Sequence, residues 1–212
     1  MDDDLARENE ALRRAVTLIH EIAKLVRESL ELEPTCYAVL TGVTAGVGLG
    51  LNRAMLFFVD ETDRSLLRGE AAVGPKDAAE ADRVWKSIAA AAPDLQTLHE
   101  VGLREQGSPG PLERWVRDTR VDIAGASPVA WALRTGATVR GAGSDDLDGL
   151  LHLPTAVAAP LRGREVVRGV LYADNQYTGL QLDPITELVC SLVADHAGQG
   201  IDSAHHYEQV AR

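Results

Sequence analysis

The chain has 212 residues, of which 45% are hydrophobic, 4% aromatic and 25% charged, and its formal net charge is −11. This balance disfavours nucleic-acid binding, because a phosphate-binding surface needs clustered Lys and Arg and the sequence has no such run. No stretch reaches the roughly 20 apolar residues of a membrane span, and the acidic start Met1-Asp2-Asp3-Asp4 is unlike a signal peptide. We therefore expect a cytoplasmic protein without a membrane partner, in which Cys36 and Cys190 are buried thiols.

The first predicted element is a long helix over residues 5–33 with a sustained heptad repeat. Its two seam positions are apolar except for one amide, and the seam consists of Leu5, Asn9, Leu12, Val16, Ile19, Ala23, Val26 and Leu30. Four heptads are enough to indicate a coiled coil, and a single buried Asn commonly fixes its register and strand number. We expect residues 1–33 to be a dimerisation helix in a homodimer. The alternative is an amphipathic helix that packs on its own domain.

Two β-hairpins are predicted from segments that are rich in β-branched and aromatic residues and bounded by turn formers. The hairpins pair residues 53–60 with 66–74 and residues 155–161 with 165–174. Alternation along the first strand places Arg53, Met55 and Phe57 on one face of the sheet. The last strand is apolar at nearly every position, which is typical of a strand covered on both faces.

Helical patterns surround these hairpins. They cover residues from Thr35 to about Val47, residues 77–92 and a closing helix over residues 183–209. Residues 93–151 are the least regular part, with short helices predicted at 111–119 and 128–134 and a short strand at 138–140. So long a crossover is usually functional. The order of elements predicts an α+β fold, with an antiparallel sheet flanked by helices.

Three segments together resemble a GAF domain: residues 52–60 (NRAMLFFVD), residues 170–175 (VLYADN) and the closing helix from Leu192 to Glu208. The similarity is to the GAF sensor modules of bacterial histidine kinases, and it places the domain at residues 34–209. It implies a six-stranded antiparallel sheet with the N- and C-terminal helices on one face and a small-molecule site under the crossover on the other. It also implies dimers through the terminal helices, and a non-enzymatic, sensory or regulatory role in bacterial signal transduction with an output protein or domain.

The sequence departs from several ligand-binding groups within that family. The residue set of cyclic-nucleotide-binding GAF domains is missing, and residues 93–151 contain no Cys to attach a bilin. Methionine sulfoxide reductases of GAF fold need several cysteines around the pocket, whereas Cys36 and Cys190 fall in helical patterns. The cofactor or ligand is therefore left unassigned.

A pocket is predicted between the sheet and the crossover, taken here as residues 75–151. Its candidate ligand-binding residues lie on the sheet face toward that crossover, within it or next to it: Arg53, Met55, Phe57, Trp85, Trp115, Trp131, His152, Tyr172 and Asp174. Arg53 and Asp174 are expected to orient a ligand, with a mutual ion pair or a turn cap as the alternative. Core packing is the alternative for the tryptophans, and a hydrogen-bonded loop histidine with no ligand is the alternative for His152. No metal site or catalytic residue is assigned, because no His pair has helical i, i+4 spacing and no nucleophile motif occurs. The alternative function is a protein-interaction adaptor whose pocket is filled by its own side chains.

Overall fold

The computed structural model describes residues 2–28, 31–46, 48–83, 94–105, 109–140 and 155–210. The helices are α1 (Asp2–Glu28), α2 (Leu32–Thr44), α3 (described over residues 78–83), α4 (Leu95–Glu105), α5 (Pro111–Asp118), α6 (Pro128–Thr135) and α7 (Pro184–Val210). The strands are β1 (Arg53–Val59), β2 (Leu66–Val73), β3 (Arg120–Asp122), β4 (Val139–Arg140), β5 (Ala156–Arg162) and β6 (Val167–Asp174).

The six strands form one antiparallel sheet in the order β3-β2-β1-β6-β5-β4. Both predicted hairpins are present, as β1–β2 and β5–β6, and their inner strands β1 and β6 pair at the centre of the sheet. That pairing sets Arg53 opposite Asp174 and Met55 opposite Tyr172. The predicted α+β class and six-stranded antiparallel sheet are confirmed.

Side-chain alternation divides the sheet into two faces, each with its own hydrophobic cluster. Ala54, Leu56 and Phe58 belong to the cluster that also contains buried residues of α1, α2 and α7. Met55, Phe57 and Tyr172 belong to the other cluster, under α5 and α6. We call this second surface the crossover face. Because successive side chains of a strand point to opposite sides, the sequence pattern alone predicts this division.

The crossover is more regular than the sequence pattern indicates. Helix α4 and the edge strand β3 both lie in the stretch predicted to be irregular. The start of the second helix also differs from the prediction: α1 is described as far as Glu28, and α2 begins at Leu32, before Pro34. Pro34 is tolerated in the first turn, where its missing N–H would have no helical partner. The hydroxyl of Thr35 donates to the Glu31 carbonyl at 2.8 Å and does not cap the helix.

The two halves of the predicted seam on α1 have different surroundings. The second half of α1 is buried against the domain through Leu18, Ile22, Ala23 and Val26. Small residues allow this close packing, since Ile22 lies against Gly42 of α2 and Val26 against Gly200 of α7. Ala23 and Val26 therefore pack inside the domain, whereas the heptad places them on an outer seam.

The first half of α1 is different, because its seam side chains are open to solvent. Leu5, Leu12 and Val16 are 55%, 42% and 67% exposed, and Asn9 is also exposed. Ile19 is half-buried and packs against the core, while Leu30 lies outside the described residues. No described helix is long and apolar enough to cross a membrane.

Candidate functional site

The floor of the candidate site is the central part of the crossover face. Met55, Phe57, Val170 and Tyr172 are fully buried there. Tyr172 is flanked in register by Met55 on one side and by Ala158 on the other. The floor is therefore apolar, with one phenol at its centre.

Helix α5 covers the β2 side of this face and buries Leu112 and Val116. Gly69 of β2 permits the contact, because a Cβ atom at that position would overlap the carbonyl oxygen of Val116. The Gly69 N–H also donates to the Thr119 carbonyl at 3.2 Å. The backbone of the crossover thus lies directly on the outer half of the sheet.

A chain of polar contacts, buried at Tyr37 and Glu113 and exposed at Arg117 and Glu33, ties α5 to α2 on the opposite side of the sheet. The hydroxyl of Tyr37 donates to Glu113 Oε1 at 2.7 Å, and Arg117 donates to the same oxygen at 2.8 Å. Arg117 also lies 3.5 Å from Glu33 of α2. Burial and the Glu113 contact raise the pKa of Tyr37, so its hydroxyl remains a donor. Sequence reasoning missed this link; its only signal is a tyrosine in an otherwise apolar stretch of α2.

Helix α6 covers the β5 and β6 side of the face with small side chains. Its buried residues are Pro128, Val129, Ala130 and Ala132. Ser127 caps the helix by accepting from the Ala130 N–H at 3.1 Å, and Gly136 ends it in the left-handed conformation with φ of 62°. Short side chains on both the helix and β5 let the two elements approach closely.

One end of the floor carries a buried ion pair. Arg53 Nε donates to both oxygens of Asp174 at 3.0 and 3.1 Å, and Arg53 Nη2 donates to Oδ2 at 2.7 Å. Both side chains are fully buried. Burial raises the pKa of Asp174, and the Arg53 guanidinium opposes that rise. The structure therefore shows the ion pair that was the alternative interpretation of these two residues.

Asn52 holds the loop that follows β6 at the same end of the site. Asn52 Oδ1 accepts from the backbone N–H groups of Tyr177 at 2.8 Å and Thr178 at 2.9 Å. The Tyr177 ring centroid lies 5.7 Å from the Arg53 guanidinium, within cation–π range. Asn52 was not among the predicted site residues, although its position just before β1 and opposite the end of β6 could have indicated it.

The structure brings together five of the predicted ligand residues: Arg53, Met55, Phe57, Tyr172 and Asp174. Trp115 joins them as a half-buried side chain packed against the crossover-face cluster. Trp131 does not, because it is 49% exposed and lies on the outer side of α6. Trp85 and His152 lie outside the described residues.

Both thiols lie on the other side of the sheet, in the cluster that contains α1, α2 and α7. Burial raises the pKa of Cys190 to about 12 and also raises that of Cys36. Reactive cysteines need an accessible thiolate, so these two side chains act as small hydrophobic groups. Within the described ranges, no group of three or more His, Cys, Asp or Glu side chains is placed to hold a metal ion.

No protein-family model and no curated protein matches the chain. Solved structures do match it. The GAF domain of a phosphoenolpyruvate-protein phosphotransferase from Coxiella burnetii is 13% identical, with a TM-score of 0.62, and the match covers 94% of this chain and 98% of that one. The GAF-B domain of DevS from Mycobacterium smegmatis is 14% identical, with a TM-score of 0.51 and coverage of 84% and 99%. Free methionine-R-sulfoxide reductase from Neisseria meningitidis, solved with its substrate, is 16% identical, with a TM-score of 0.55 and coverage of 91% of each chain.

Proposed function

Since the chain has the fold of a GAF domain, we propose that it is a non-enzymatic sensory or regulatory module of bacterial signal transduction. In this proposal the protein is cytoplasmic and dimeric, and it binds a small molecule on the crossover face. The supporting observation is the arrangement of that face: a buried floor with one polar end lies under α5 and α6, while α1 and α7 lie on the opposite side.

The exposed part of α1 supports a homodimer. Val26 of α1 lies against Gly200 of α7, and both helices rise by the same distance per residue. Counted back from that contact along both helices, Pro184 at the start of α7 is level with about residue 10 of α1. The earlier turns of α1 therefore extend past α7. Leu5, Leu12 and Val16 are exposed on α1, and Leu188 and Leu192 of α7 are 53% and 38% exposed. A second copy of the chain would cover these side chains.

The contacts of α7 support transmission of a signal to an output protein or domain. Arg140 of β4 contacts Glu187, Arg162 of β5 contacts Asp195 at 2.5 Å, and Arg168 of β6 contacts Asp202. These pairs connect the strands under α6 to the closing helix α7. A shift of those strands on ligand binding would be carried to α7.

The alternative is a protein-interaction adaptor. The observation in its favour is Trp131, which is half exposed on α6. Tryptophan is enriched among the residues that dominate protein interfaces. An enzymatic function has less support, because both cysteines are buried on the side of the sheet opposite the candidate site.

A fluorescence screen tests the ligand-binding proposal. The chain has three tryptophans, so the Trp85→Phe/Trp131→Phe variant emits from Trp115 alone, which packs against the crossover-face cluster. We expect at least one compound of a bacterial metabolite library to change this emission saturably. The matched control is Trp85→Phe/Trp115→Phe, which emits from the exposed Trp131 and should not respond. The absence of a saturable Trp115 response to every compound would contradict the ligand site and favour the adaptor.

A further inference from the structure

The hydroxyl of Tyr172 is a buried polar group with no hydrogen-bond partner among the described residues. Its side chain is fully buried within the crossover-face cluster. Buried hydroxyl groups are nearly always paired, because an unpaired one loses its hydration without compensation. This hydroxyl therefore needs an explanation, and the proposed function offers one.

The residues around Tyr172 are mostly short and apolar. Its in-register neighbours are Met55 and Ala158, and the next cross-strand neighbour of Met55 is Ala72. Ala156 follows on the same face, opposite Asp174. Cross-strand neighbours lie about 4.5–5.5 Å apart, so the phenol rises beside methyl-sized groups. If a small molecule enters this buried cluster, these side chains would contact its apolar body.

The charge of the floor is balanced. Arg53 and Asp174 are bound to each other through three hydrogen bonds in the buried pair. A charged ligand would lose its hydration here without gaining an uncompensated opposite charge from the described floor residues. An uncharged ligand avoids that cost.

We infer that Tyr172 is the residue that selects the ligand, and that the ligand is an uncharged, largely apolar small molecule with a hydrogen-bond acceptor such as a carbonyl oxygen. The inference rests on the proposed function, since it names the ligand class of the same site. Burial raises the pKa of Tyr172 well above its usual range, so the hydroxyl remains protonated and donates to the acceptor.

Methyl NMR on matched fragments provides the test. The chain has two methionines, Met1 and Met55, so ¹³C-methyl-methionine labelling gives a reporter directly beside Tyr172. The probes are acetophenone, α-methylstyrene, which has the same shape with a methylene group replacing the carbonyl oxygen, and the anion benzoate. A second pair, cyclohexanone and methylenecyclohexane, controls for size. Each is titrated into the wild type and into Tyr172→Phe.

We expect both ketones to shift the Met55 signal and to bind the wild type about 2- to 10-fold more tightly than their hydrocarbon partners, as one net hydrogen bond predicts. In Tyr172→Phe the two members of each pair should bind equally. Benzoate should bind no more tightly than acetophenone. Because the variant loses a hydroxyl that has no partner in the part of the chain that the structure describes, it should unfold at no lower urea concentration than the wild type.

The outcomes separate this inference from the proposed function. Equal binding of ketone and hydrocarbon by the wild type, with a shift of Met55, would overturn the role of Tyr172 and leave the ligand site intact. Tightest binding by benzoate would overturn the uncharged class. A loss of stability in Tyr172→Phe would show that the hydroxyl has a structural partner, and this would also overturn the inference. If no fragment shifts Met55, the ligand site itself is contradicted.

Discussion

Replacement of Asp174 with alanine is expected to lower the free energy of unfolding by about 3–5 kcal/mol, because it leaves the Arg53 guanidinium buried without its partner. Both side chains are fully buried, and the pair joins the two central strands of the sheet. The pair also lies under the loop that Asn52 clamps. The measurement is urea unfolding followed by circular dichroism.

Two further variants identify the cause of this loss. The double replacement Arg53→Met/Asp174→Leu removes both charges and should recover much of the stability, since apolar residues of similar size commonly substitute for a buried pair. Glu10→Ala removes an ion pair whose Arg14 and Glu10 side chains are 77% and 54% exposed. It should have little effect, because exposed pairs are screened by solvent. A loss in Asp174→Ala no larger than that in Glu10→Ala would show that the buried pair does not stabilise the fold.

Replacement of Leu12 and Val16 with glutamate is expected to convert the proposed dimer to a monomer at micromolar concentration. These side chains are 42% and 67% exposed in a single chain, so the change leaves the domain core intact. In a dimer they would meet their counterparts across the seam and bury like charges, which costs several kcal/mol. Light scattering gives the mass, and urea unfolding checks that the domain is folded.

The matched control places the same change of charge on another side of the helix. Thr17→Glu/Lys24→Gln also lowers the charge by two, at exposed positions that line a groove between α1 and the start of α7. This variant should remain dimeric. A wild type that is already monomeric at micromolar concentration would contradict the dimer, and the heptad would then serve only the packing of α1 on its own domain.

The strands and the two faces of the sheet could be predicted from the sequence, because the patterns that specify them are local. Alternation in residues 53–59 assigns each side chain to a face, and turn formers mark the strand ends. The pairing of strands is not local. Arg53 and Asp174 are 121 positions apart, so their ion pair depends on a strand register that no short pattern specifies. Side-chain alternation predicted that the two residues share a face of the sheet, but it did not predict which groups they bind.

The crossover shows a second limit of sequence patterns. Strand β3 has three residues and gains its structure by pairing with Leu66–Arg68 at the sheet edge. Helix α4 contains the buried His99 and a mid-helix glycine, Gly102, which weaken its apolar pattern. Tertiary contacts define both elements, and local propensity does not.

The heptad of α1 illustrates a third limit. An apolar stripe shows that a helix packs against something, but it does not show whether the partner is the same chain. Here Ala23 and Val26 are buried against the domain, whereas Leu12 and Val16 are exposed. The side of α1 that faces the core carries Ala15, Leu18 and Ile22, so Leu12 and Val16 lie on its outer side.

Native mass spectrometry tests the central claim, that a dimeric module binds a small molecule, most directly. Freshly purified protein is measured alone and after incubation with a bacterial metabolite extract, and one spectrum reads both the number of chains and any bound mass. The account predicts a species of two chains that carries up to two small molecules, and loss of the second chain in Leu12→Glu/Val16→Glu. A single chain without added mass under both conditions would contradict it.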